Sequence, residues 1–278
     1  MSFKIVVDSC CEIPEQFKQD ERFEIVPLSL EVGDYQVIDD ENFDQAEFLH
    51  QVATCPKCPR SSCPSPELFM EAYHVEAEHI YAITLSSHLS GSYNSAVLGA
   101  NLYHEKYGEK QIHVFDSESA ACGETQIALK IMEYEEAGLD FETIVEKVEE
   151  FRDHMSTYFV LDNLETLRKN GRLSTVKALV ASTLSIKPVM AGDHGVIVQR
   201  GQSIGIKKAL GKMAEFVIAD LHKYTDRRLM ITHCNAPQRA ELVRDMVLAK
   251  AECKECIILN ARGVSSMYAN DGGVIVTV

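Results

Sequence analysis

Ile80-Tyr81-Ala82-Ile83-Thr84-Leu85-Ser86-Ser87-His88-Leu89-Ser90-Gly91-Ser92 reads as a short apolar strand running into a serine-rich loop and then a helix. The run 80–85 is compact and apolar, the pattern of a strand covered on both faces. Gly91 lets backbone come close, and Ser90 or Ser92 can cap the helix expected over 90–107. A helix entered this way carries about half a positive charge and free N–H groups at its start, so it takes up phosphate or carboxylate. Several hydroxyls exceed what one cap requires. In parallel sheets ligands sit beyond the carboxyl ends of strands, where such loops lie.

The same alternation continues outward. Strands are predicted over 3–8, 23–30 and 35–38, and a helix over 44–53. The stretch 55–64, with three prolines and little apolar content, is predicted as a loop. Ser65 then serves as N-cap, Pro66 opens a helix and Glu67 sits in its first turn, with the helix running to about 77. A strand follows over 111–116, and helices over 123–137 and 141–155, parted at Gly138. Strand alternating with helix predicts a parallel sheet covered on both faces.

After about residue 155 the pattern changes. Residues 158–161 are extended, with short helices over 164–169 and 173–184. Strands over 186–190 and 195–199 flank a hairpin turn at Gly192-Asp193-His194-Gly195. A long helix spans 206–223, followed by a strand over 229–233, a helix over 237–251 and strands over 257–259 and 274–278. The expected fold class is α/β in two domains. A parallel-sheet domain occupies 1–155, and a mixed or antiparallel-sheet domain occupies 156–278.

Composition narrows the function. The 278 residues are 46% apolar, enough for a core, and carry a formal net charge of −15. A surface that acidic repels phosphate backbones, and no run of Lys and Arg offsets it, so nucleic acid is not an expected partner. The start of the chain lacks the apolar core of a signal peptide, and no stretch approaches the ~20 apolar residues of a membrane span. A cytoplasmic, soluble protein is expected. Cys55-Pro56-Lys57-Cys58 and Cys253-Lys254-Glu255-Cys256 have the gap that zinc sites use. Nearly the whole chain separates them, so reduced, packed thiols are preferred to a metal site.

Catalytic templates fail. There is no nucleophile elbow, no phosphate-binding lysine loop and no dinucleotide fingerprint at Gly201-Gln202-Ser203-Ile204-Gly205. His88 beside Ser87 and Ser90 has no evident acid partner and reads as an exposed loop residue. His50, His74, His79 and His104 read as surface residues. His222 and His233 are placed near a core edge. No catalytic residue and no metal ligand is assigned. Three loops at strand ends carry hydroxyls: Ser9-Cys10-Cys11, residues 86–92 and residues 117–119.

Five segments together resemble the DegV family of bacterial fatty-acid-binding proteins. They are Val7-Asp8-Ser9; Ser61-Ser62-Cys63-Pro64-Ser65; Leu85-Ser86-Ser87-His88-Leu89-Ser90-Gly91-Ser92-Tyr93-Asn94-Ser95-Ala96; Leu164-Glu165-Thr166-Leu167-Arg168-Lys169-Asn170-Gly171-Arg172-Leu173-Ser174; and Ser185-Ile186-Lys187-Pro188-Val189. The resemblance implies a two-domain α/β protein enclosing one long-chain fatty acid between its domains. It implies a carrier rather than an enzyme, presenting the carboxylate to a separate fatty-acid kinase and then carrying the acyl phosphate. No cofactor and no nucleotide site of its own are implied, the fatty acid being the ligand.

By position, Ser61 matches the family's carboxylate-binding threonine and Ser90 its carboxylate-binding serine. Ser62, Gly91 and Ser92 complete the implied head-group loops, and Arg172 is the implied partner-docking residue. Two departures bear on docking to a kinase. Asn270 stands at or next to the place of a histidine in kinase-linked members, and Ile204 stands ahead of Lys207-Lys208-Ala209-Leu210 where a surface arginine is usual. Asn270 can donate a hydrogen bond but cannot take a charge. The alternative is an enzyme acting on a small phosphorylated or carboxylated metabolite at the same loops.

Overall fold

β-Branched, apolar runs form β1 (Phe3–Asp8), β2 (Phe23–Val26), β6 (His79–Thr84) and β7 (Gln111–Asp116), which pair in parallel in the order β2-β1-β6-β7. The structure is a computed structural model describing residues 2–173, 185–224 and 226–278. Every residue of β6 is buried, as its continuous apolar run requires. Helices α1 (Gln45–Thr54), α2 (Pro66–Tyr73), α3 (Ser92–Tyr107), α4 (Cys122–Glu136) and α5 (Phe141–Asp153) accompany this sheet. The predicted extension of α2 to about 77 is not present. Lys110 Nζ takes the Tyr73 and Val75 carbonyls at 3.2 and 2.5 Å, an ending supplied from outside the helix.

A three-stranded antiparallel sheet joins β3 (Ser29–Val32), β4 (Tyr35–Ile38) and β5 (Arg60–Ser62) in the order β4-β3-β5. β5 lies within the stretch expected to be loop. It forms because β3 offers an open edge, setting Leu30 opposite Ser61. Pro59 and Pro64, which lack N–H donors, stand on either side of the strand.

The second sheet is mixed, as predicted. It contains β8 (Thr157–Val160), β9 (Ile186–Asp193), β10 (Val196–Ile204), β11 (Arg228–His233), β12 (Glu255–Asn260) and β13 (Val274–Thr277), in the order β10-β9-β8-β13-β11-β12. β11 and β12 run parallel and the other neighbours antiparallel. The β9–β10 hairpin turns on His194 and Gly195, at φ 46° and 77°, as the two-residue turn that fits strand twist. α6 (Glu165–Lys169), α7 (Ile206–Leu221) and α8 (Pro237–Leu248) fall near their predicted places. The helix expected over 173–184 lies, after its first residue, outside the described residues.

α4 lies between the two sheets, and its residues 122–132 are buried without interruption. Ile127 and Ile131 share a core with Ile5, Val7, Tyr81 and Phe115 of the first sheet and with Met230 and Leu259 of the second. Gln126 Nε2 donates to the Arg228 and Thr277 carbonyls at 2.9 and 3.3 Å, fastening the helix to the second sheet.

One helix escaped the sequence reading. α9 (Gly263–Ala269) is short, and its N-terminal N–H groups are satisfied from afar. Asp39 accepts from the Gly263 and Val264 N–H groups, both at 2.9 Å. A Cβ on Gly263 would stand 2.7 Å from Asp39 Cγ and Leu30 Cδ1, so only glycine permits this approach.

Candidate functional site

The loops at the carboxyl ends of β1, β6 and β7 come together, as the sequence placed them. Asp8 Oδ1 accepts the Cys10 N–H and its Oδ2 the Leu85 N–H, each at 3.0 Å. Asp116 Oδ1 accepts the Ser87 and Glu118 N–H groups, each at 3.1 Å. The loop after β6 is thus pinned by carboxylates on both sides. Burial pushes the Asp8 carboxyl up to about 6, against the pull of those two N–H donors.

Between this edge and the second sheet lies a cavity with about 840 Å³ of space outside the protein atoms, its solvent mouth included. Leu28, Leu85, Leu89, Phe159, Leu161, Leu167, Ile197, Val264 and Ile275 make its wall predominantly apolar. Cys10 completes one side; burial and neighbouring carboxyls push its thiol upward, so it packs as a neutral group. Ser61, Ser90, Arg172 and Tyr268 are polar lining residues, each only partly buried, and mark the mouth; Glu118, in the loop after β7, is a fifth partly buried polar residue of the lining.

Ser61, Tyr268 and Arg172 form a chain of contacts that ends beside Ser90. The Ser61 and Tyr268 hydroxyls are 3.3 Å apart. The Arg172 guanidinium lies 5.9 Å from the Tyr268 ring centroid, and its Nε donates to the Leu89 carbonyl at 3.0 Å, one residue from Ser90. Cys63 packs against the helix entrance, its Sγ only 3.0 Å from where a Cβ on Gly91 would stand, which draws the β5 segment towards Ser90. Hydroxyl donors and one guanidinium beside an apolar hollow suit a ligand with an anionic head and an apolar body.

Not every residue singled out from the sequence reaches this cavity. Gly91, rather than Ser90 or Ser92, occupies the N-cap position of α3, and Ser90 Oγ accepts the Ser92 N–H at 3.2 Å. Ser92 is fully buried and its hydroxyl supports Asp8. Gly91 is exposed outside the lining. Ser62 is exposed on the opposite side of β5 from Ser61, as strand alternation demands. Asn270 lines a separate groove with Cys55, Cys58, Thr166 and Lys169. Arg172, expected to face a partner, contributes to the cavity lining instead of standing free on the surface. Ser9 and Ser117 spend their hydroxyls on the fold: Ser9 Oγ accepts the Leu28 N–H, and Ser117 Oγ donates to the Ser119 carbonyl.

Tyr268 was missed together with α9. The spacing of Val264, Met267 and Tyr268 was the available signal. His79, expected at the surface, is 3% exposed and pairs with Glu135 at 2.5 Å. His222, expected near a core edge, is exposed, whereas His233 is half-buried. His88 is exposed, as read. Ile204 is 69% exposed ahead of exposed Lys207 and Lys208. Cys55 packs by the three-stranded sheet, whereas Cys253 and Cys256 pack on the second sheet's core. Among the described residues no three His, Cys, Asp or Glu side chains gather as metal ligands, and no helix is long and apolar enough to cross a membrane.

The sequence model of the DegV family, described as uncharacterised proteins of that family, matches residues 2–277. The chain belongs to the DegV family. A DegV domain-containing protein of Streptococcus pyogenes serotype M1 is 32% identical to it, across 99% of this chain and 98% of that one. A DegV family protein from Ruminococcus gnavus, refined with vaccenic acid, superposes with a TM-score of 0.97 at 50% identity over 100% of both chains. The fatty acid kinase (Fak) B3 protein of Streptococcus pneumoniae, loaded with linoleic acid, superposes with a TM-score of 0.87 at 28% identity, over 100% of this chain and 99% of that chain. The DegV architecture, a parallel sheet followed by a mixed one, is the architecture of this chain.

Proposed function

We propose that this protein binds one long-chain fatty acid in the cavity between its two sheets and carries it to a separate fatty-acid kinase. The observation that carries the reading is the cavity: an apolar hollow whose mouth holds two serine hydroxyls, a phenol and a guanidinium. Each methylene buried there contributes about 0.8 kcal/mol of gross stabilisation. The carboxylate, which must not be buried unpaired, lies at Ser61, Ser90 and Tyr268 with Arg172 as counter-charge. The fatty acids present in the Ruminococcus gnavus and Streptococcus pneumoniae relatives support the same ligand class.

The kinase relationship draws on the Streptococcus pneumoniae relative alone, a component of a fatty acid kinase by name. In this reading the chain is a carrier, and phosphoryl transfer belongs to the partner. Arg172, at the mouth, suits an acyl phosphate as well as a carboxylate, because a guanidinium matches either group with two parallel donors.

Native mass spectrometry of the gently purified protein tests the proposal. The expected result is a mass excess of one fatty acid per chain, exchangeable for added long-chain acid. A clean protein that ignores added acids would overturn it. A phosphorylated or carboxylated small metabolite in its place would favour an enzyme using the same loops.

A further inference from the structure

The cavity holds a second polar feature, distinct from the four groups at its mouth. Ser119, in the loop after β7, and Thr157, the first residue of β8, both line it and are 4% and 9% exposed. Their hydroxyl oxygens are 2.7 Å apart. One donates to the other, which uses one of two protons; the second meets no acceptor among the described residues. Ser265, in the same wall, differs: its hydroxyl donates to the Cys10 carbonyl at 3.4 Å. A buried donor left over beside an apolar hollow is a standing cost that a suitable ligand atom removes.

The surroundings decide which atom suits. Glu118, Thr157 and Gly192 line both the cavity and a polar pocket adjoining it, which also contains Arg152, Asp153 and Asp193. Arg152 already pairs with Glu149 and Asp153, at 2.5 and 2.8 Å. With Glu118 and Asp193 close by, a second carboxylate on the ligand would be repelled. A neutral oxygen would not. Gly192, which also lines the cavity, presents no side chain towards Thr157.

We infer that Ser119 and Thr157 form a subsite for a hydroxyl group on the acyl chain, so that hydroxylated fatty acids are ligands of this cavity. The inference rests on the proposal that the cavity holds a fatty acid. The pair offers the unspent proton and free lone pairs, and a hydroxyl returns an acceptor and a donor. A plain methylene at that point leaves the donor unpaired. Such a difference discriminates between otherwise identical chains.

The test compares stearic acid with a positional series of hydroxystearic acids, using lipid-stripped full-length protein and equilibrium competition. The variants are Ser119→Ala with Thr157→Val, and Thr157→Val alone, which keeps the side-chain shape should the double variant not fold. For at least one isomer, affinity relative to stearic acid should fall by about fivefold or more in the variants, with stearic acid binding retained. A change in that ratio below about fivefold for every isomer would overturn the subsite while leaving fatty-acid binding intact. Failure of stearic acid and all isomers to bind the wild-type protein would overturn the fatty-acid proposal, and the subsite with it.

Discussion

Glu12 lies two residues beyond Cys10 in the cavity wall and is 2% exposed. Its Oε2 accepts from the Thr232 hydroxyl at 3.1 Å, and its Oε1 has no hydrogen-bond partner among the described residues. Burial pushes its carboxyl from 4.5 up to about 7. A carboxyl raised in the folded state is held protonated there while the unfolded chain already releases its proton. The contribution of Glu12 to stability is therefore greatest below pH 4.5 and falls as pH rises towards about 7, beyond which the loss is constant. At 1.36 kcal/mol per pH unit the full loss is about 3 kcal/mol. Glu12→Gln keeps the volume and the acceptor for Thr232 but cannot ionise. The variant should match the wild type near pH 4.5 and gain about 3 kcal/mol by pH 7.5, or roughly 6–12 °C in Tm. Thermal unfolding by circular dichroism across that range reads the difference directly. A gain that does not change with pH, or a variant less stable than wild type at pH 7.5, would refute the reasoning.

Ser61→Ala combined with Ser90→Ala removes two donors from a carboxylate and should weaken fatty-acid binding by roughly 3 kcal/mol, on the order of 100-fold. Ser61→Thr, which keeps the hydroxyl, should bind within about threefold of wild type in the same competition assay. Tyr268→Phe keeps the cavity wall but removes the hydroxyl beside Ser61, so a loss of about 1 kcal/mol in affinity with unchanged Tm is expected. Asp39→Ala leaves the first N–H groups of α9 unpaired and should cost about 2 kcal/mol of stability by denaturant unfolding. Gly263→Ala forces a methyl group against Asp39 and Leu30 and should lower Tm by at least as much as Asp39→Ala.

What the sequence could reveal follows from where each element's determinants lie. β1 and β7 were read residue for residue, because β-branched apolar runs carry their own strand signal. β5 has none: three residues near prolines become a strand only because β3 presents an edge. α9 needed Asp39, 224 positions away, to finish its first turn, so no local N-cap announced it. His79 has acidic sequence neighbours, which suggested solvent, but its partner Glu135 is 56 positions distant and both are inside. The site divides along the same line. Ser61, Ser90 and Arg172 belong to recognisable segments and line the cavity. Tyr268 came with the unseen helix, and Ser92 turned inward to Asp8 because its loop is pinned from both sides.

The position of α4 has a consequence for how the chain is made. Cys122 and Gln126 face the second sheet, whose strands β11, β12 and β13 lie far downstream. A nascent chain therefore completes α4 long before the surface that covers it has left the ribosome. Until β11 and β13 have been made, that flank of the helix is bare and open to proteases and to other unfinished chains. A chain truncated before β11 should therefore be recovered as aggregate or degraded. The hollow that receives the ligand likewise waits for β13, which brings Ile275 into its wall.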